Sequence, residues 1–217
     1  PPHLPLDRMA LLGCAVTTGY GAVMHAAKVA PGTSVAVFGT GGVGLNVVQT
    51  AALAGARMII AVDLRENKLE YARQFGATHT VNASAGDPVK QVRTLTGKRG
   101  VDYAFEVVGL PLTIRQAYDV LAKCGMAVVV GISPTKAEVP IPALALAWDE
   151  RILTGSLYGS GDFRQDILKL IDLYQAGKLK LDELVTRTYP IEEINDAYAA
   201  LERGEVARSV VIFGWGD

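Results

Sequence analysis

The stretch from Ser34 to Asp63, SVAVFGTGGVGLNVVQTAALAGARMIIAVD, constrains the fold more than any other part of the chain. An apolar run over residues 34–38 leads into Gly39-Thr40-Gly41-Gly42-Val43-Gly44. A helical pattern follows to Ala54, and a second apolar run, residues 58–62, stops at Asp63. That order is strand, glycine-rich turn, helix, strand and acid, the context a G-x-G-x-x-G motif needs if it is to mean a dinucleotide. The first glycine permits the tight turn, the second lets a pyrophosphate approach the backbone, and the third lets the helix pack against the strand. The helix N-terminus offers free N–H groups and a positive dipole end to phosphates. Asp63 is placed to accept hydrogen bonds from both hydroxyls of an adenosine ribose, which favours NAD over NADP. A glycine-rich turn that binds nothing leaves Asp63 unexplained.

The rest of the chain repeats the strand and helix rhythm. Strands are expected at residues 78–81, 101–108 and 126–130, and strand-like runs at 152–158, 185–189 and 206–213. Residues 66–75 place Leu69, Ala72 and Phe75 on one helical face, and Gly76 stops the helix. Asp87 caps a helix that begins at Pro88, residues 112–122 form another closed by Lys123 and Gly125, and Asp162 caps one over 163–176 that ends at Gly177. Pro190 opens a last helix that ends at Gly204. Ahead of the glycine turn, Asp7 is expected to cap a helix in two pieces, weakened at Thr17-Thr18-Gly19-Tyr20-Gly21. Strands alternating with helices imply a parallel sheet covered on both faces. The expected fold is α/β: a doubly wound parallel six-stranded Rossmann sheet with a C-terminal α/β segment. The division is 1–33 leading in, 34–152 binding the dinucleotide, and 153–217 as the C-terminal segment.

Composition narrows the function classes. Half of the 217 residues are hydrophobic and a fifth are charged, enough for a core and against global disorder. Net charge is −1, with no basic excess to recruit nucleic acid or an anionic membrane. Cys14 and Cys124 do not make a disulfide framework, so the chain reads as reduced and cytoplasmic. No apolar stretch reaches membrane-spanning length, and no signal peptide is visible at the N-terminus. A start without Met suggests a piece of a longer chain or a processed one. His3, His25 and His79 have no catalytic partner at a recognisable spacing and are expected to be structural or surface residues. Glu192-Glu193 sit in a first helical turn, where they favour the helix dipole.

Several stretches together resemble zinc-dependent medium-chain alcohol dehydrogenases. They are Leu12-Gly13-Cys14-Ala15-Val16-Thr17-Thr18-Gly19-Tyr20-Gly21-Ala22, the glycine turn, Ala61-Val62-Asp63 with Lys68 beyond, and Phe105-Glu106-Val107-Val108-Gly109. Leu153-Thr154-Gly155-Ser156 and Gly204-Glu205-Val206-Ala207-Arg208 follow in the same order. The first stretch is closer to the alcohol and S-hydroxymethyl-thiol dehydrogenases than to the zinc-free quinone reductases. The resemblance implies NAD, zinc and an alcohol or aldehyde substrate. It covers the cofactor-binding domain and the C-terminal segment, and not the barrel-like domain that carries most of the active site.

By resemblance, Cys14 matches a ligand of the catalytic zinc, a site that takes three protein ligands and keeps one position open. One thiolate cannot hold zinc in this chain alone. Cys124, expected at a helix end, matches no functional position. Thr18 matches a residue beside the nicotinamide, Lys68 one that helps hold the adenosine ribose, and Arg208 an arginine that reaches the pyrophosphate, a role suited to a guanidinium fork. Gly131 and Ile132 end the fifth strand, where open α/β sheets present ligands. Val107 matches the adenine-side strand end, and Tyr158 a position near the carboxamide. The cofactor set is Thr18, Gly39, Gly41, Gly42, Val43, Gly44, Asp63, Lys68, Val107, Gly131, Ile132, Tyr158 and Arg208. Family members pair through an edge of the sheet, and the stretch from Val139 to Ala147 matches that region as an edge strand or a very short one, implying a homodimer or tetramer. Two other readings stay open: a non-catalytic dinucleotide-binding or dimerisation module, and a zinc-free NAD(P)H quinone or enone reductase. Asp63 and Cys14 argue against the last.

Overall fold

The computed structural model describes residues 4–204 and 206–214. His3 and Glu205 lie outside them. The chain opens with a short helix α1 (Leu6–Met9), a 3-10 turn (Ala10–Gly13) and α2 (Ala15–Gly21), which runs into a π-helical turn (Ala22–Ala27). Two expectations are corrected here. Asp7 is not the cap: Pro5 holds that position, and Asp7 accepts from the Arg8 amide inside the first turn at 2.9 Å. The break falls at Cys14 (φ −146°, ψ −80°), and Thr17 to Gly21 is intact helix. Its glycines serve packing. A Cβ on Gly19 would lie 2.6 Å from Asn46 Cβ, and one on Gly21 would lie 2.1 Å from the carbonyl oxygen of Gly159.

The central unit forms as the pattern requires: β1 (Ser34–Phe38), α3 (Gly42–Leu53) and β2 (Met58–Asp63). Then come α4 (Glu66–Gln74), β3 (His79–Asn82), α5 (Pro88–Leu95), β4 (Val101–Glu106), α6 (Pro111–Asp119) and β5 (Leu121–Val129). A short α7 (Ala143–Trp148) precedes β6 (Ile152–Gly155). The six strands form one parallel sheet in the order β3-β2-β1-β4-β5-β6. The order reverses between β1 and β4, so a crevice opens at their C-terminal ends, where such sheets bind ligands.

Both faces of the sheet are buried, which is why its strands read as unbroken apolar runs. Val35 and Val37 face one core with Leu45 and Val48 of α3 and Leu69 of α4. Ala36 and Phe38 face the other with Val92 of α5 and Tyr118 of α6. Each fully buried Val, Leu, Ile or Phe contributes about 1.5–3 kcal/mol, so the alternation along β1 anchors helices on both sides. Asp87 caps α5 as expected, accepting from the Val89 amide at 2.9 Å and the Lys90 amide at 3.3 Å. Gly76 and Gly177, both at positive φ, follow α4 and α8 (Phe163–Gln175). The last segment is β7 (Val185–Pro190), α9 (Ile194–Glu202) and β8 (Arg208–Ile212), with β7 and β8 paired in parallel. Among the described residues no single helix is long and apolar enough to cross a membrane.

Two further expectations are corrected. Residues 112–122 are not one helix: α6 stops at Asp119, and Leu121 already pairs with Val101 as part of β5. A bulge follows, with Cys124 at φ +59°, so Cys124 is an exposed strand residue and not a helix end. The bulge splits the apolar run, which hid the first half of the strand. The stretch 139–147 forms no strand; its second half is α7, and the edge of the sheet is β6. Pro140 and Pro142 have no N–H to donate to a ladder, and the alanines and leucines that follow favour a helix.

Candidate nucleotide-binding crevice

The first turn of the site is set by glycine sterics. Gly39 has φ +94° and donates its amide to the Val62 carbonyl at 2.8 Å, tying the end of β1 to β2. A Cβ on Gly44 would lie 1.9 Å from the Gly39 carbonyl oxygen, so α3 starts in direct contact with the strand it follows. A Cβ on Gly41 would meet nothing within 4 Å; that side of the turn is open. The three glycines are thus sterically distinct: Gly39 makes the tight turn, Gly44 the close helix–strand contact, and Gly41 leaves its side of the turn open. No side chain caps α3, which leaves the first amides of a 12-residue helix facing the crevice.

Arg208 closes this end. It arrives from β8, and its guanidinium lies against Gly42, where a Cβ would come within 2.2 Å of Nε and Cζ. Burial pushes its pKa down. No carboxylate pairs with Arg208 among the described residues. A largely buried cation beside the positive end of a helix, with no carboxylate partner among the described residues, makes this end of the crevice electropositive.

Asp63 marks the other end. One carboxylate oxygen accepts from the Thr40 amide (2.8 Å) and hydroxyl (3.0 Å), and the other from the amides of Leu64 (2.8 Å) and Arg65 (3.2 Å). The carboxylate is therefore oriented before any ligand arrives. Thr40 is a site residue that sequence reasoning passed over; a hydroxyl inside the glycine turn was its signal. Arg65 donates to the carbonyl of Arg203, joining this rim to the end of α9.

Between these ends lies a cavity of about 560 Å³, within the range of small-molecule sites. Gly39, Gly41, Gly42, Val43, Gly44, Asp63, Lys68, Val107 and Arg208 line it together. Its far wall is Val108, Leu110 and Leu112, all exposed apolar side chains beyond β4. They were not anticipated, although the apolar run continuing past the strand was a signal. Buried Glu106 holds this wall: one of its oxygens accepts from the amides of Val108 (2.9 Å) and Gly109 (2.8 Å) and the hydroxyl of Thr113 (2.7 Å).

The remaining candidates lie outside this cavity. Thr18 is buried in α2, its amide bonded to the Cys14 carbonyl at 2.9 Å. Tyr158 has φ +52° and donates its hydroxyl to the Gly13 carbonyl at 2.6 Å. Gly131 packs against Gly109, where a Cβ would lie 2.1 Å from the amide nitrogen. Ile132 is 82% exposed. Cys14 is exposed, and no three His, Cys, Asp or Glu side chains among the described residues converge to hold a metal. His79 bonds to the Thr78 hydroxyl at 2.8 Å, and His25 to Asp166 at 2.8 Å.

Comparison with known proteins supplies the family context. The profile of the family described as zinc-binding dehydrogenase matches residues 42–175. The chain is 40% identical over 220 residues to an alcohol dehydrogenase class-3 of Cereibacter sphaeroides, covering 98% of this chain and 58% of that protein. It is 40% identical over 212 residues to the alcohol dehydrogenase class-3 of Dictyostelium discoideum, covering 95% of this chain and 56% of that one. The benzyl alcohol dehydrogenase of Acinetobacter calcoaceticus superposes with a TM-score of 0.95 at 34% identity, over 99% of this chain and 59% of its own. The chain thus spans a little under three fifths of each of these three relatives.

Proposed function

The chain belongs to the zinc-binding dehydrogenase family, and on that premise we propose that it is the NAD(H)-binding portion of an alcohol dehydrogenase. The reaction is hydride transfer between a primary or secondary alcohol, or a hydroxymethyl-thiol adduct, and NAD. The observation that carries this reading is the Arg208 guanidinium, with no carboxylate partner among the described residues, laid beside the uncapped N-terminus of α3 in the same cavity as Asp63. NAD, when bound, supplies the hydride acceptor or donor at its nicotinamide. Arg208 and the amides of residues 42–44 hold the pyrophosphate, and the open side of Gly41 lets it approach. Asp63 takes the ribose hydroxyls, the Arg65 amide at 3.2 Å being the weakest of its present donors and the one most readily displaced. Lys68 adds a cation at that rim, and Val107 with the apolar wall beyond β4 packs the adenine. Thr18, Gly131, Ile132 and Tyr158 form the nicotinamide end.

Zinc does not fit the described residues: Cys14 is a single cysteine, and a catalytic zinc takes three protein ligands. No step is therefore routed through it. In the whole protein, Cys14 is the ligand this portion contributes. Residues 1–33 lead into the cofactor-binding portion, 34–152, and 153–217 return towards the catalytic portion; β6 lies at that junction. The exposed side chains of Leu144 and Trp148 on α7, which precedes the edge strand β6, support a homodimer or tetramer, and two free cysteines support a cytoplasmic setting.

The test is a fluorescence titration with NADH and NADPH. The carboxylate of Asp63 repels a 2′-phosphate, so NADH should bind at least about tenfold more tightly. Equal affinities would remove the assignment of Asp63.

A further inference from the structure

The turn between β6 and α8 is fastened to the first helices at points that the dinucleotide cavity does not explain. Its backbone is left-handed at three successive residues, Tyr158 (φ +52°), Gly159 (φ +82°) and Ser160 (φ +57°). Two of these carry side chains, so the surroundings must hold the turn in place. Tyr158 donates to the Gly13 carbonyl at 2.6 Å. Gly159 lies against Gly21 with no room for a Cβ on either residue. Past the turn, His25 Nε2 meets Asp166 Oδ2 at 2.8 Å. Asp166 is only 2% exposed, and its other oxygen faces the Lys169 ammonium at 3.3 Å. Tyr20 packs edge-on to the His25 ring at 5.9 Å. A Cβ on Gly161 would lie 2.4 Å from His25 Cδ2, so the backbone is pared down to admit the ring.

These fastenings join two segments far apart in the chain. One carries Thr18 and the other carries Tyr158. We propose that His25 and Asp166 are positioning residues that lock the Tyr158 turn onto the Thr18 helix and so set the geometry of the nicotinamide end of the crevice. The pair touches neither the glycine turn nor Asp63, so the adenosine and pyrophosphate end is formed without it. The proposal rests on the dinucleotide reading of the crevice, and adds to it a residue pair that acts on one half of the ligand.

The test uses two ligands that share one half: NADH, and ADP-ribose, which lacks the nicotinamide. Both are titrated calorimetrically into the wild-type chain and into His25→Ala, His25→Gln and Asp166→Asn. His25→Ala should weaken NADH binding about fivefold or more, the effect of losing one hydrogen bond to a charged group, and leave ADP-ribose within about twofold. His25→Gln, which keeps a donor near the Nε2 position, should restore NADH binding. Asp166→Asn should resemble His25→Ala; if it does not fold, the two His25 variants decide the matter. Equal losses for both ligands, no loss for either, or no rescue by Gln would overturn the pair's role. Wild-type chain that binds neither ligand would instead overturn the dinucleotide reading itself.

Discussion

At the scale of single residues, charge placement separates what holds the fold from what awaits a ligand. Arg208 pairs with no carboxylate among the described residues, so burying its charge is a cost to the free protein that the proposed pyrophosphate would offset. Arg208→Met should therefore leave the melting temperature unchanged or raised while weakening NADH about 10- to 100-fold, measured by thermal scan and titration on one preparation. Asp102 is the opposite case. Burial would raise its carboxyl, but hydrogen bonds from the Ser34 hydroxyl and amide and from Arg99 outweigh that and hold it below its ordinary value. A carboxyl depressed in the folded state stabilises it at neutral pH, and that contribution is lost as pH falls through the folded value. Asp102→Asn should cost about 1–3 kcal/mol at neutral pH, and the gap to wild type should close below the ordinary carboxylate range, read from urea midpoints across pH. Of these residues, Asp63 and Arg208 were legible in the sequence. Asp63 follows a local motif, and Arg208 was named by resemblance alone. Thr40 and Glu106 were not, because their partners are chosen by how neighbouring loops fold back.

At the scale of elements, the glycines of the β1–α3 turn are chemically identical and structurally distinct. A methyl group on Gly44 collides with backbone, whereas one on Gly41 meets open space. Gly44→Ala should destabilise the chain by about 3 kcal/mol, since α3 must lift from β1. Gly41→Ala should stay within about 0.5 kcal/mol of wild type yet still weaken NADH, because its methyl group would stand on the open side of the turn, where the pyrophosphate is proposed to bind. Urea unfolding and titration of both variants would check this; equal destabilisation would mean that the turn is not built as described. The same steric reasoning explains the misread elements. Gly19 and Gly21 look like helix breakers in one dimension and are close-packing contacts in three. The bulge at Cys124 divided β5, and two prolines turned an expected edge strand into a short helix.

At the scale of the molecule, the proposed function separates cofactor binding from the chemistry. The chain should bind NADH and show no zinc-dependent oxidation of alcohols, since Cys14 alone does not make a three-ligand site. Turnover that responds to added zinc, followed through NADH absorbance, would mean that the ligand set has been misjudged. The sequence by itself determined the doubly wound sheet, the glycine turn and the acid at the end of β2. Those features are written in local rules: the period of apolar residues, the sterics of glycine and the residue types that cap helices. Only the tertiary structure decided which distant side chains meet. It laid Arg208 of the last strand over Gly42 of the first helix of the site, and His25 against Asp166. Such contacts depend on how whole elements pack, and no periodicity within a segment encodes its partner across the sheet.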